Sequence, residues 1–206
     1  MSGAFPISNA KFRTLGIKSV QKTLISKSAS GKRLARQIDG QKFAFTADII
    51  TAKRSDVYGE LMAFIMQQRS SKESFTIIPP EVSNARGNET GTIQVVGSHA
   101  VGATSISIDG HQNNNPNAFK AGDFIKFANH SKIYMIVADV NPSSNASTLT
   151  IEPPLINTLA DNEVVTYDNV PFTVYLTNDI QEFGAVGATK DGDLLYQFEL
   201  DVEEAL

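Results

Sequence analysis

The sequence predicts a mainly β protein with one α-helix (α+β), in which a small β-barrel is inserted into a helix-backed sheet domain. Three observations lead to this fold class. Apolar and polar residues alternate along most of the chain, a helical apolar period occurs once, and a polar segment near residue 85 separates two styles of sequence. A period of two is typical of strands, whereas spacings of three and four residues are typical of a helix.

The N-terminal part predicts an extended arm followed by strands. Residues 2–12 are small and polar around Phe5-Pro6 and favour an edge strand or an arm. The apolar residues that follow favour a strand, with a short helix as the alternative. These are Ile17, Val20, Leu24 and Ile25. Residues 27–33 form a Ser-, Gly- and Lys-rich tip, which indicates either a solvated turn or a protruding hairpin that contacts an adjacent subunit.

A strand pair and the helix are predicted next. Residues 33–38 and 42–50 flank Asp39-Gly40, a dipeptide typical of tight hairpins, so we expect the two runs to pair. The second run alternates strictly, with four core-facing side chains. These are Phe43, Phe45, Ala47 and Ile49.

The helix is expected over about residues 55–69, with Ser55 or Asp56 as its N-cap. Its core-facing positions follow spacings of three and four. They are Val57, Tyr58, Leu61, Phe64, Ile65 and Gln68. An extended run over 75–78 then ends at Pro79-Pro80.

Beyond the Gly- and Asn-rich segment 81–91, the pattern is one of short strands and turns. The predicted strands lie at 92–96, 104–108, 122–127, 132–137, 148–151 and 163–167. Several short strands at this spacing indicate a small barrel or sandwich, here over 90–168.

The end of the chain returns to longer alternating strands, at 171–176, 181–186 and 194–203. In the last of these, Leu194, Tyr196, Phe198, Leu200 and Val202 share one face. We therefore predict one domain built from residues 1–88 together with 169–206, and an inserted all-β domain over 89–168.

Composition narrows the function. The 206 residues include no cysteine, which excludes disulfides, thiolate metal sites and cysteine nucleophiles. The N-terminus has no apolar run of signal-peptide length, and 18 consecutive apolar residues occur nowhere in the sequence. We therefore expect a soluble protein made in the cytoplasm. Residues 1–80 hold 13 basic and 5 acidic residues (net +8), and residues 81–206 hold 5 and 17 (net −12). This asymmetry favours contact between the basic face of one subunit and the acidic face of another over nucleic-acid binding.

No pattern predicts a reaction centre. His99, His111 and His130 are expected in solvated loops, and their spacing fits no metal motif. Asp191-Gly-Asp193 indicates a hairpin turn rather than a calcium loop. No nucleophile-elbow, dinucleotide-binding or paired-acid motif stands out. We therefore predict a non-enzymatic chain without cofactor, metal or catalytic residues.

Two segments together resemble a known family. The element order in RQIDGQKFAFTADI…RSDVYGELMAFIMQQRSSKESFTIIPP is similar to the head domain of distal tail proteins and minor tail proteins of long, flexible-tailed (siphovirus-type) bacteriophages. The second segment, GTIQVVGSHAVGATSISIDG…FKAGDFIKFANHSKIYMIVADV…STLTIEPPL…VPFTVYL, looks like a run that recurs in phage tail proteins. The resemblance implies a tail-tube-like β-sandwich or split barrel with one flanking helix.

The resemblance further implies a structural virion protein made in the host cytoplasm. It would form a homo-oligomeric ring, expected to be hexameric, that joins the tail tube to the tail tip or baseplate hub. A tail-tube subunit and a glycan-binding module of the tail are the alternatives. Six basic residues are the predicted inter-subunit contacts: Lys27, Lys32, Arg33, Arg36, Lys53 and Arg54.

Overall fold

The computed structural model describes residues 3–6, 11–38, 40–112, 115–142 and 144–206, and it confirms a mainly β chain with one short helix. The strands are β1 Phe12–Val20, β2 Thr23–Lys27, β3 Arg33–Gln37, β4 Lys42–Lys53, β5 Ser74–Ile77, β6 Gln94–Val95, β7 Ser105–Asp109, β8 Phe124–Phe127, β9 Ile133–Ile136, β10 Ala146–Glu152, β11 Val165–Thr166, β12 Phe172–Leu176, β13 Gly184–Ala188 and β14 Leu194–Glu204. A π-helical turn, Arg54–Tyr58, leads into helix α1, Gly59–Gln67.

The larger sheet combines strands from both ends of the chain. Its order is β1-β4-β14-β12-β5, and β13 pairs with the N-terminal half of β14. All of these pairs are antiparallel. The predicted N-terminal arm lies along the β5 edge, where the Phe5 N–H donates to the Thr76 carbonyl at 2.7 Å.

Alternation along β4 and β14 builds the core of this sheet as predicted. The inward side chains of β4 are at most 3% exposed, and those of β14 at most 2%. They are Phe43, Phe45, Ala47 and Ile49 on β4, and Phe198, Leu200 and Val202 on β14. The helix covers this face with Leu61, Phe64 and Ile65, which are buried in the same core. One amphipathic helix thus seals one side of the sheet.

The predicted N-cap is wrong. The helical segment begins at Arg54 with a π-helical turn, in which the Gly59 N–H donates to the Arg54 carbonyl. No side chain caps either end of this turn, and the Ser55 hydroxyl donates to Asp56 instead. The wide turn brings position 59 against the backbone, since a Cβ there would lie 2.9 Å from the Arg54 oxygen. Glycine is therefore required where the π turn passes into the α-helix.

The predicted hairpin across Asp39-Gly40 is also wrong, and Asp39 itself lies outside the described residues. β3 pairs with β2, in register from Thr23–Gln37 to Lys27–Arg33. β4 has no edge left for β3, because β1 occupies one side of β4 and β14 the other. The turn signal at Asp39-Gly40 therefore does not bring β3 and β4 into pairing.

The smaller sheet runs β11-β8-β9-β10-β7-β6 and forms a nearly closed barrel, as the sequence predicts. Its two ends meet where the Val95 N–H donates to the Glu163 carbonyl and the Val165 N–H to the Ile93 carbonyl, both at 2.9 Å. Its strands all lie between residues 94 and 166, and those of the larger sheet lie on either side of that span. The domain boundaries predicted at 88–89 and 168–169 remain a prediction.

A buried ion pair joins the barrel to the larger sheet. The Lys132 ammonium donates to Glu204 Oε2, and neither side chain is exposed. The same carboxylate accepts the Ile133 N–H at 2.6 Å and the Phe43 N–H at 3.1 Å. The ammonium also lies 4.7 Å from the centre of the Phe43 ring, within range of a cation–π contact. Barrel and sheet therefore share a buried charge pair at their junction, and its carboxylate also accepts two backbone N–H groups.

Lys132→Met is expected to destabilise the protein by roughly 3–5 kcal/mol, because it leaves the Glu204 carboxylate buried without its cation. Adding Glu204→Gln is expected to recover part of this loss, since the amide oxygen still accepts a backbone N–H and no charge remains buried. Urea unfolding measures both free energies.

Lys120→Met is the matched control, because the Lys120–Asp139 pair (3.2 Å) is partly solvated, with side chains 30% and 49% exposed. We expect that change to cost about 1 kcal/mol or less. Equal losses for Lys132→Met and Lys120→Met would contradict the role given to the buried pair.

Candidate assembly surfaces

The most exposed regular element is the hairpin of β2 and β3, named the basic hairpin (residues 22–38). All ten of its strand residues are exposed. Its tip closes where the Gly31 N–H donates to the Ser28 carbonyl at 2.9 Å, with Gly31 at φ +79°. At its root the Ile38 N–H donates to the Lys22 carbonyl at 3.1 Å. The hairpin is therefore regular in its backbone yet projects from the body of the protein.

The basic hairpin forms a two-stranded sheet of its own. Isolated two-stranded hairpins are marginal in water, because neither face is covered. Its apolar side chains remain open, with Leu24 59%, Ile25 56%, Leu34 51% and Ile38 52% exposed. Exposed apolar residues rimmed by charge mark a surface that binds another protein. The structure thus shows a protruding hairpin at residues 27–33, and its contact with an adjacent subunit stays a prediction.

The structure divides the six predicted contact residues into two groups. Lys27, Lys32, Arg33 and Arg36 lie on the basic hairpin, and none of them forms an ion pair with another described residue. Lys53 and Arg54 lie at the far end of β4, away from the hairpin. There Lys53 Nζ lies 2.7 Å from Asp193 Oδ2, and the hydrogen bond and charge of Asp193 raise the pKa of Lys53. Lys53 is therefore engaged within its own chain.

A second exposed surface, not identified from the sequence, lies beside Lys53. We name it the acidic hairpin (residues 179–194), since it holds Asp179, Glu182, Asp191 and Asp193 against one cation, Lys190. The predicted turn at Asp191-Gly-Asp193 is confirmed: the Gly192 N–H donates to the Thr189 carbonyl at 3.0 Å.

Apolar residues of the acidic hairpin are also uncovered, with Ile180 85%, Val186 56% and Leu194 51% exposed. Leu194 belongs to the alternating set that fills the core further along β14. Here the sheet extends past the core, so the same face is open. Alternation alone therefore predicts that Leu194 is buried, and only its place at the end of the strand indicates that it is exposed.

A cavity of about 600 Å³ opens between the start of the helix and the acidic hairpin. Its lining is Lys53, Arg54, Ser55, Gly59, Gly192, Asp193, Leu194 and Tyr196. The cavity mixes charged groups with the exposed Leu194 side chain. It therefore offers both charge and apolar surface to a side chain of another protein.

Two of the three histidines are buried, which corrects the prediction of solvated loops. His111 and His130 are each 4% exposed. His111 Nδ1 lies 2.7 Å from Glu89 Oε2, and His111 Nε2 lies 2.6 Å from the Ser147 hydroxyl. His130 contacts the Tyr134 hydroxyl at 3.0 Å. The partners of His111 lie 22 and 36 residues away along the chain, whereas Tyr134 lies only four residues from His130.

The Ser147–His111–Glu89 arrangement has the order of groups found in hydrolase triads, yet its setting is structural. Ser147 lies inside the β10–β7 ladder opposite Ile108. An ionised carboxylate only accepts, so Nδ1 donates to Glu89, which also accepts the Thr90 and Gly91 N–H groups. These bonds tie the entry segment of the barrel to β10.

Two further features, a metal-binding cluster and a membrane-spanning helix, are absent from the described residues. Within the part of the chain that the structure describes, no group of three or more His, Asp or Glu side chains is placed to hold a metal ion. No helix within the same residues is long and apolar enough to cross a membrane.

Comparison with known proteins bears on the barrel. Residues 81–170 match a family model described as "Distal tail protein pb9, B domain". The matched segment contains the whole six-stranded sheet, from β6 to β11, and covers somewhat less than half of the 206 residues. No curated protein matches the chain significantly. The match confirms the resemblance to phage distal tail proteins.

Within the matched segment, Glu89 is expected to make stability depend on pH. Burial alone would raise the pKa of Glu89, but hydrogen bonds from His111, Gly91, Thr90 and Asn115 outweigh burial and lower it from its ordinary 4.5. A carboxyl whose pKa is lower in the folded state stabilises the fold above its unfolded pKa. That contribution is lost as the pH falls below 4.5 and through the folded pKa.

Glu89→Gln should therefore lower the free energy of unfolding most at neutral pH, and the difference from the native chain should shrink below pH 4.5. Chemical denaturation at a series of pH values measures this difference. Glu182→Gln removes an exposed carboxylate and serves as the control. A difference for Glu89→Gln that stays constant with pH would contradict the assignment.

Proposed function

We propose that this phage tail protein, whose barrel matches the B domain of a distal tail protein, forms a homo-oligomeric ring at the distal end of the tail. The ring, expected to contain six copies, joins the tail tube to the tail tip or baseplate. The match to a structural tail component supports the coarser role. The observation that carries the ring proposal is a basic hairpin that projects from the packed body of the protein without support from it.

Open sheet edges support assembly of copies side by side. β1 pairs only with β4, and β13 only with β14, so each leaves one edge open among the described strands. Edge strands present unpaired N–H and C=O groups that invite pairing with another chain. Addition of a neighbouring copy would continue the sheet around a ring.

Charge also supports contact between unlike faces. The basic hairpin belongs to the N-terminal part, with net charge +8, whereas the rest of the chain carries −12. Contacts between unlike faces repeat with a constant rotation, and they close into a ring when that rotation fits. Opposite charges steer such contacts and suppress wrong ones.

The barrel supports a platform role. The Lys132–Glu204 pair and the aromatic contact between Phe43 and Phe124 (ring centres 5.1 Å apart) hold the barrel against the sheet. A barrel fixed in this way presents the same surface from every copy in a ring. We propose that it contacts the tail-tube and tail-tip proteins, without catalysis and without a cofactor.

Negative-stain electron microscopy of the purified full chain, alone and with tail-tube and tail-tip proteins, tests the proposal. We expect rings with a central lumen, because edge pairing and unlike faces both favour closure. Persistent monomers under all of these conditions would overturn it. Labelling of intact virions is expected to place the protein at the end of the tail.

Copy number separates the ring from the tail-tube alternative. A single distal ring predicts a few copies per virion, whereas a tube subunit is present in large multiples of the ring number. Quantitative mass spectrometry of virions, scaled to the major capsid protein, makes this measurement.

A further inference from the structure

We infer that the basic hairpin of one copy docks on the acidic hairpin of a second copy, an inference that rests on the proposed self-assembly. The two surfaces are exposed hairpins of the same chain. Their charges, their uncovered apolar side chains and their positions each point to the same occupant.

The charges of the two hairpins are complementary. Residues 22–38 carry five cations and no carboxylate: Lys22, Lys27, Lys32, Arg33 and Arg36. Residues 179–194 carry four carboxylates and one cation, a net charge of −3. Asp193 is already paired with Lys53, and Asp179 accepts the Ser71 hydroxyl at 2.9 Å, which leaves Glu182 and Asp191 to face the partner. Complementary charge of this kind sets register and speeds encounter.

Both hairpins also expose apolar side chains that the body of the protein does not cover. Leu24 and Leu34 of the basic hairpin are 59% and 51% exposed. Ile180 and Val186 of the acidic hairpin are 85% and 56% exposed. Burial of these side chains against each other supplies the non-directional part of the contact, and the surrounding charges supply its specificity.

The turn of the acidic hairpin lies far from the basic hairpin within one chain. The basic hairpin follows Val20, which lies opposite Lys42 at one end of β4, whereas Leu195 beside the acidic turn lies opposite Lys53 at the other end. Eleven residues of strand separate the two sites by about 36 Å at 3.3 Å per residue. The contact therefore joins unlike surfaces of successive copies.

Charge exchange tests the contact. Arg33→Glu with Arg36→Glu, and separately Glu182→Lys with Asp191→Lys, are each expected to weaken self-association roughly tenfold or more, because like charges then meet. A mixture of the two variants restores opposite charges at every contact and is expected to recover association. Ser105→Glu with Thr148→Glu adds two carboxylates on the exposed barrel surface and should change little. Sedimentation velocity measures all four samples.

Cross-linking separates this inference from the proposed ring. The chain has no cysteine, so Leu24→Cys in one copy and Val186→Cys in another are uniquely addressed by a short bis-maleimide. We expect an intermolecular product from this pair and none from Leu24→Cys with Ser105→Cys. Rings that form without the Leu24–Val186 product would overturn the inference but not the proposed ring. Charge variants that associate as strongly as the native chain would do the same. Cross-linked open polymers without rings support the inference and overturn the ring.

Discussion

The carboxylate of Glu204 is the interaction on which the rest of the structure depends. It lies at the end of β14, the last strand in the chain, and accepts from the Phe43 N–H of β4 and the Ile133 N–H of β9 while pairing with Lys132. Its two oxygens thus bond to the larger sheet and to the barrel at once. A buried carboxylate is tolerated only when its cation and its hydrogen bonds are all supplied. The sheet and barrel must therefore meet in one arrangement to satisfy it.

The core of the larger sheet is densely packed, whereas the two hairpins are not. The central strands β4 and β14 each have partners on both sides, and the core that they build extends to Phe124 and Ile133 from the barrel segment. The basic hairpin shares none of these contacts, and the apolar end of β13 and β14 extends beyond them. A single copy therefore leaves the side chains of the basic hairpin and of the exposed end of β13 and β14 without cover from its packed core. That combination suits a component that completes its contacts in an assembly.

The sequence predicts much of the fold because alternation is strict where burial is strict. Phe43 to Ile49 and Phe198 to Val202 are buried as their period of two requires, and the barrel strands appear in the predicted order. The pairing of β3 was not predictable from Asp39-Gly40, since a local turn signal does not reveal that β1 and β14 already occupy both sides of β4. The ion pair between Lys132 and Glu204 was not predictable from the sequence either, because the two residues lie 72 positions apart.

The candidate surfaces were predictable in part. The basic tip was visible as a run of Lys, Arg, Ser and Gly, and its exposure follows from its composition. The acidic hairpin was not predicted as an exposed surface, because Leu194 continues the core-facing alternation of β14. Leu194 is exposed because β14 begins beyond the edge of the packed core. The buried His111 was hidden for a different reason, since Glu89 and Ser147 reach it from distant segments.

The basic hairpin is unsupported in a single copy, and we propose that it is covered in the assembly. Hydrogen exchange of the β2 and β3 amides, followed by mass spectrometry, compares the monomer with the assembled protein. We expect fast exchange in the monomer and strong protection on assembly, while β4 and β14 stay protected in both. Equal exchange of the hairpin amides in the two states would contradict it.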